Sequence, residues 1–67
     1  MKTYFKRFKS TGRISHRYRV TKLITGNYTI ETAILDSTDF EMNINFPIFK
    51  TEKQAEKYLA DRFELEE

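Results

Sequence analysis

The 67-residue chain has no cysteine and no tryptophan, and only one histidine, one proline and two glycines. Without cysteine it has neither disulfides nor thiolate metal sites, and a lone histidine cannot form a zinc site unless several carboxylates join it. This points to a cytoplasmic or virion-interior protein. No apolar run reaches even signal-peptide length, and the opening Met1-Lys2-Thr3-Tyr4-Phe5-Lys6-Arg7 is broken by charge, so neither membrane entry nor export is expected. Repeats, low-complexity tracts and linkers are absent, and residues 1–67 read as one small domain.

Acid is also missing from the first thirty residues. Lys2, Lys6, Arg7, Lys9, Arg13, Arg17, Arg19 and Lys22 carry +8 there, whereas from Glu31 onward ten acids face four bases. The formal net charge of +2 therefore conceals two opposite fields. Such asymmetry points to a charged partner, and a basic half rich in aromatics points first to nucleic acid. What the chain does contain is a 15% aromatic fraction and many isoleucines, enough burial for a folded domain although a third of the residues are charged.

Hydrophobic alternation organises the first two thirds. Ile14, His16, Tyr18, Val20 and Ile24 share one face of a strand, and Arg13, Ser15, Arg17, Arg19 and Thr21 share the other. Ser10-Thr11-Gly12 fits a three-residue hairpin loop that pairs Lys9 with Arg13 and Phe5 with Arg17. A second three-residue loop, Thr25-Gly26-Asn27, keeps the apolar residues of Tyr28 to Leu35 on the side of Tyr18. A two-residue loop would instead place Ile30 and Ile34 on the arginine face. The cluster Asp36-Ser37-Thr38-Asp39 turns the chain into Phe40, Met42, Ile44 and Phe46, and Pro47 ends the ladder. Ile30 and Ile44 are expected in the core.

Thr51 with Gln54 three residues on is a capping-box signature, and Ala55, Tyr58, Leu59 and Phe63 recur at helical spacing. The prediction is an α+β fold of four antiparallel strands, at about 2–9, 13–24, 28–35 and 40–46. A C-terminal helix at about 52–65 packs on one face of this meander. Glu64, Glu66 and Glu67 then fall at the negative pole of the helix, which favours fraying or a basic neighbour. Such an acidic end can fold back on the basic face or offer a surface to a basic partner; a solvated terminus is the favoured expectation.

The candidate site is the basic sheet face, where Phe5, Arg7 and Lys9 of the first strand lie beside Arg13, Arg17, Arg19 and Thr21 of the second. Guanidinium and ammonium groups neutralise phosphates, arginine also forks to bases, and Phe5 would supply a stacking platform. The competing explanation is a solvated face whose charges protect the sheet from edge-to-edge aggregation. His16 reads as a packed core histidine. Asp36, Asp39 and Glu41 lack the glycine and terminal glutamate of a calcium loop. With no nucleophile beside a base, no paired acids, no metal set and no phosphate loop, neither enzyme chemistry nor a cofactor is expected.

Two stretches resemble the arm-type DNA-binding domain at the front of phage and transposon tyrosine integrases. His16-Arg17-Tyr18-Arg19-Val20 is similar to the family's aromatic-x-Tyr-Arg-aliphatic strand, and Phe49-Lys50-Thr51-Glu52-Lys53-Gln54-Ala55-Glu56-Lys57-Tyr58-Leu59 to its F-x-T-x-x-x-A-x-x-x-L helix entry. Together they span about a quarter of the chain. The resemblance implies a three-stranded sheet that enters the major groove, with DNA contact at Arg13, Arg17, Arg19 and Thr21. It further implies a stand-alone accessory or regulatory protein of a phage or mobile element, in the host cytoplasm if phage-encoded. The chain departs from the family in carrying acids, not bases, around its third strand, and in having a fourth strand.

Nucleic acid, with DNA favoured, is thus the first expected partner. The alternative is a protein-binding module, such as a small phage-encoded inhibitor or adaptor of a host protein. Leu23, Ala33 and Leu35 fall on the arginine face, and phosphate contact gives apolar side chains no role. A homodimer seam is another use for these three residues.

Overall fold

The computed structural model describes residues 2–66. Its elements run β1 (Thr3–Arg7), β2 (Ile14–Lys22), β3 (Tyr28–Ile34), β4 (Glu41–Met42), α1 (Glu52–Arg62) and β5 (Glu64–Glu66). The strands form one antiparallel sheet in the order β4-β3-β2-β1-β5, with α1 packed across one face against β2 and β3. The expected meander and helix are present. A fifth strand lies beside β1, where helix was expected.

The two hairpins show how turn chemistry sets register. The β2–β3 loop is Ile24-Thr25-Gly26, closed by the Leu23 amide donating to the Asn27 carbonyl at 2.7 Å, one residue earlier than expected. Gly26 takes φ of 92°, the left-handed position that ends a three-residue loop, and so decides where the loop sits. Moving a three-residue loop by one position shifts the pairing by two and leaves every side chain on its face. Val20 therefore meets Ile30, and Arg19 meets Glu31. Ile24, expected on the apolar face, is exposed in the loop.

In the β1–β2 hairpin the Phe8 amide donates to the Arg13 carbonyl at 2.8 Å, leaving a four-residue loop with Gly12 at φ 72° instead of the expected three residues. Lys9 and Arg13 are consequently not a strand pair. The extra loop residue would invert every face, but Ser15 is the additional residue of a bulge between the Arg7–Ile14 and Lys6–His16 pairs, and the register is restored beyond it. Phe5 still meets Arg17, as expected, while Ile14 moves to the face of Arg7. Ser15 itself is buried, its hydroxyl donating to the Lys6 carbonyl at 3.1 Å.

The fourth segment departs furthest from expectation. Only Glu41–Met42 pairs with β3, and Met42 stands opposite Glu31, on the arginine face. The Phe46 amide then turns back to the Asn43 carbonyl, and Phe49 pairs with Tyr28 through bonds of 2.7 and 2.8 Å, so residues 43–48 leave the sheet as a loop. Phe46 returns to the core, but Ile44 is 97% exposed. Alternation alone does not distinguish a strand from a loop whose apolar residues face opposite ways.

Beneath α1 the core joins Tyr4, Tyr18, Val20 and Ile30 of the sheet to Ala55 and Leu59 of the helix, with Phe46, Phe49, Tyr58 and Phe63 packed around them. Tyr18 stacks on Phe63 with ring centres 4.1 Å apart and meets the edge of Phe46 at 5.6 Å. The helix begins at the expected cap, with Thr51 Oγ1 accepting from the Gln54 amide at 3.2 Å, but the Gln54 side chain accepts from the Lys50 amide at 3.3 Å and not from Thr51, so the expected capping box closes one residue early. It ends at Arg62, not near residue 65, because Phe63 turns into extended backbone while its amide still donates to Leu59. Continuing the helix would add Glu64 and Glu66 to its negative pole; as β5 they lie beside arginines instead. Glu67, the third acid of that cluster, lies outside the described residues.

Two substitutions test this architecture. Thr51→Ala removes the cap and should destabilise by about 1 kcal/mol, a melting-temperature loss of roughly 4–8 °C in a domain this small. An unchanged melting curve would place the helix start elsewhere. Ile30→Ala, at a fully buried position, should lose roughly 2–5 kcal/mol, while Ile44→Ser should leave the denaturation midpoint in place. Comparable losses from both would return Ile44 to the core.

Candidate binding face

The sheet face away from α1 carries Phe5, Arg7, Arg17, Arg19 and Thr21, five of the seven residues expected to bind nucleic acid. Lys9 and Arg13 lie on the exposed β1–β2 loop and its flank, apart from the strand face. There Arg13 lines a cleft with Phe8, Thr11, Ile14, Arg17, Leu35 and the acid Asp36. Thr21 is half-buried opposite Thr29.

Each of the three strand-face arginines is already engaged within the chain. Arg7 Nε lies 3.4 Å from Glu64 Oε2, its guanidinium stands 4.8 Å from the centre of the Phe5 ring, and Nη1 donates to the Gly12 carbonyl at 2.7 Å. Arg17 Nε lies 3.5 Å from Glu66 Oε2, and Nη1 donates to the Leu35 carbonyl at 2.8 Å. Arg19 is paired with Glu31 across the β2–β3 ladder and lies over the Phe40 ring at 4.0 Å. The opposed charges of the two halves of the sequence thus meet on one surface. The Arg7–Glu64 pair is exposed on both sides and contributes only about 0–1 kcal/mol, whereas Glu31 of the Arg19 pair is mostly covered.

Phe5 corrects the expected stacking platform. It is only 8% exposed, lying between Arg17 and Glu64 in the sheet with Arg7 over its ring, and offers no open face to a base. Ala33, expected as an exposed apolar residue, is buried opposite Arg17. Leu35 remains exposed and takes φ of 54°, a left-handed conformation unusual for leucine, where its carbonyl receives Arg17. The arginine partners Glu64 and Glu66 were visible in the sequence as an acidic end able to fold back; they stay solvent-exposed, as expected of the terminus, yet fold back to pair with Arg7 and Arg17.

On the helix side, His16 is half-buried and stacked over Tyr18 at 6.1 Å. Ser15 Oγ lies 3.0 Å from His16 Nδ1 and 3.1 Å from the Lys6 carbonyl, joining the histidine to the β1 backbone. Among the described residues no group of three or more histidine or acidic side chains is placed to hold a metal, and no helix is long and apolar enough to cross a membrane.

A second surface, not singled out by the sequence, surrounds β4. Met42, Ile44 and Ile48 are 62%, 97% and 65% exposed, and with Leu23 and Phe46 they line a shallow apolar groove. Ile34 extends it past His16. Comparison with protein-family models, curated proteins and solved structures finds no match to this chain.

The Tyr4 phenol is buried and donates to Glu56 Oε2 at 3.1 Å, and burial followed by this carboxylate pushes its pKa above the ordinary 10.0. Burial also raises Tyr18. The folded protein therefore keeps these protons when the unfolded chain begins to lose them, and the stability they support is complete below pH 10.0 and falls as pH rises toward the folded values. Tyr4→Phe should lower the melting temperature at neutral pH by removing the hydrogen bond, yet make its decline above about pH 10 shallower than in the wild type. Parallel alkaline melting curves for the two proteins would rule out the Tyr4 linkage.

Proposed function

We propose that this protein is a non-enzymatic binding module whose partner is another protein, engaged through the apolar surface around β4. The observation that carries this is the exposure of Met42, Ile44 and Ile48 within seven residues of chain, side by side with Leu23 and Ile34. Leaving large aliphatic side chains in water serves no purpose in an isolated domain with so small a core, and contiguous apolar surface of this kind marks association sites. The arginine face supports the same conclusion less directly, since three of its cations are already paired with acids of the same chain. A small inhibitor or adaptor fits this arrangement.

One observation favours a nucleic-acid partner instead. Lys9 and Arg13 are exposed around the β1–β2 loop within the acid-free stretch, Arg13 shares a cleft with Arg17 and Asp36, and Arg17 belongs to the strand that resembles the integrase arm domains. Each phosphate these cations neutralise should contribute about −0.9 to the slope of log affinity against log salt on duplex DNA.

The two partners separate in one set of measurements. Immobilised wild-type protein should retain a single stoichiometric protein from host extract, and Ile44→Asp/Ile48→Asp should lose it while melting as the wild type does. Fluorescence anisotropy with a short DNA duplex at low and moderate salt should show no binding that Arg13→Gln weakens. Salt-sensitive DNA binding that depends on Arg13 and ignores the isoleucine pair would replace the protein partner with nucleic acid.

A further inference from the structure

We propose that the outer edge of β1 is a docking site for an extended acidic peptide of another protein, of the pattern acid–aliphatic–acid, and that β5 occupies this site as an internal stand-in. The sheet order places the site on the edge opposite β4, so it is independent of the apolar surface proposed above.

The chemistry of the occupant is displayed by β5 itself. Glu64, Leu65 and Glu66 pair in antiparallel register with Phe5, Tyr4 and Thr3. The two carboxylates fall on the arginine face, Glu64 against Arg7 and Glu66 against Arg17, while Leu65 falls on the other face beside Tyr4. Main-chain pairing with alternate side chains read by fixed groups is how a strand is added to a sheet edge, and here the fixed groups are two guanidinium ions.

β5 is also weakly held. All three of its residues are exposed, and both ion pairs lie at the surface, where such pairs add little. Its ladder covers only Thr3, Tyr4 and Phe5, although β1 continues through Lys6 and Arg7. A longer incoming strand can pair along all of β1, and the same alternation sets its next acid opposite Arg7. The tethered strand competes at high effective concentration, so the intact protein binds such a peptide weakly and loosening β5 reveals the site.

The test uses the full chain and an end-blocked peptide of alternating glutamate and leucine, with an alternating lysine–leucine peptide and a short DNA duplex as controls. In E64Q/L65G/E66Q the internal strand loses both carboxylates and its aliphatic contact. This variant should bind the acidic peptide at least about tenfold tighter than wild type. Adding R7Q/R17Q should abolish the gain, the lysine peptide should not bind, and amide resonances of Thr3 to Arg7 should shift on titration. In the wild type, high peptide concentration should move the Thr3–Phe5 and Glu64–Glu66 amide signals together as one strand replaces the other. A variant that melts cooperatively but binds the peptide no better, shifts confined to other strands, or enhanced binding of duplex DNA in place of peptide would each overturn the proposal. Should the variant fail to fold, the wild-type titration decides, and unmoved β1 and β5 resonances would overturn it.

Discussion

Both faces of the molecule depend on the β2–β3 register. Setting Val20 opposite Ile30 puts both beneath α1 beside Tyr18 and Leu59, and the same step sets Arg19 opposite Glu31 on the other side. A slip by one residue would expose the isoleucine and bury the ion pair, exchanging a dry contact for desolvated charge. Gly26 holds this register because it takes the left-handed conformation that closes the loop. In the neighbouring hairpin a longer loop and the Ser15 bulge each shift the pairing by one residue and cancel, so Phe5 still lies beside Arg17.

Electrostatics explains where the chain goes after the helix. With acids confined to the second part of the sequence and the basic run to the first, a compact fold lowers its energy by bringing the ends together. Leaving the helix at Phe63 removes Glu64 and Glu66 from an unfavourable pole and delivers them to Arg7 and Arg17. The resulting strand shields the β1 edge, which would otherwise present unpaired backbone groups. Because the shield is short and exposed, it protects the edge without sealing it.

The two edges of the sheet are consequently unlike. One is bordered by a three-residue acidic strand over arginines, the other by a two-residue strand that opens into an aliphatic loop. Between them the aromatic cluster of Tyr18, Phe46, Tyr58 and Phe63 anchors the loop and both ends of the helix region to one core. Phe46 matters most to the loop, since it returns the chain to the core two residues after the exposed Ile44. A domain of this size, with no disulfide to staple it, depends on such aromatic contacts for much of its cohesion.

Local patterns determined the β2 and β3 strands, the faces of Tyr18, Val20, Ile30, Arg17 and Arg19, and the helix start at Thr51, because alternation and capping act over a few residues and leave a direct mark on the sequence. Arg7, Arg17, Arg19 and Thr21 of the basic face could be located in the same way, whereas Lys9 and Arg13 left it because the β1–β2 loop is one residue longer than expected. The electrostatic state of that face could not, because the carboxylates that neutralise Arg7 and Arg17 come from residues more than forty positions away and arrive only when the helix stops at Arg62. Nor could alternation separate Phe46 from Ile44: both are apolar and in phase, and only the turn at Asn43 sends one into the aromatic core and the other into solvent. Tertiary structure decided these features because each balances a local preference, for continued helix or continued strand, against a long-range charge or packing contact that no short window contains.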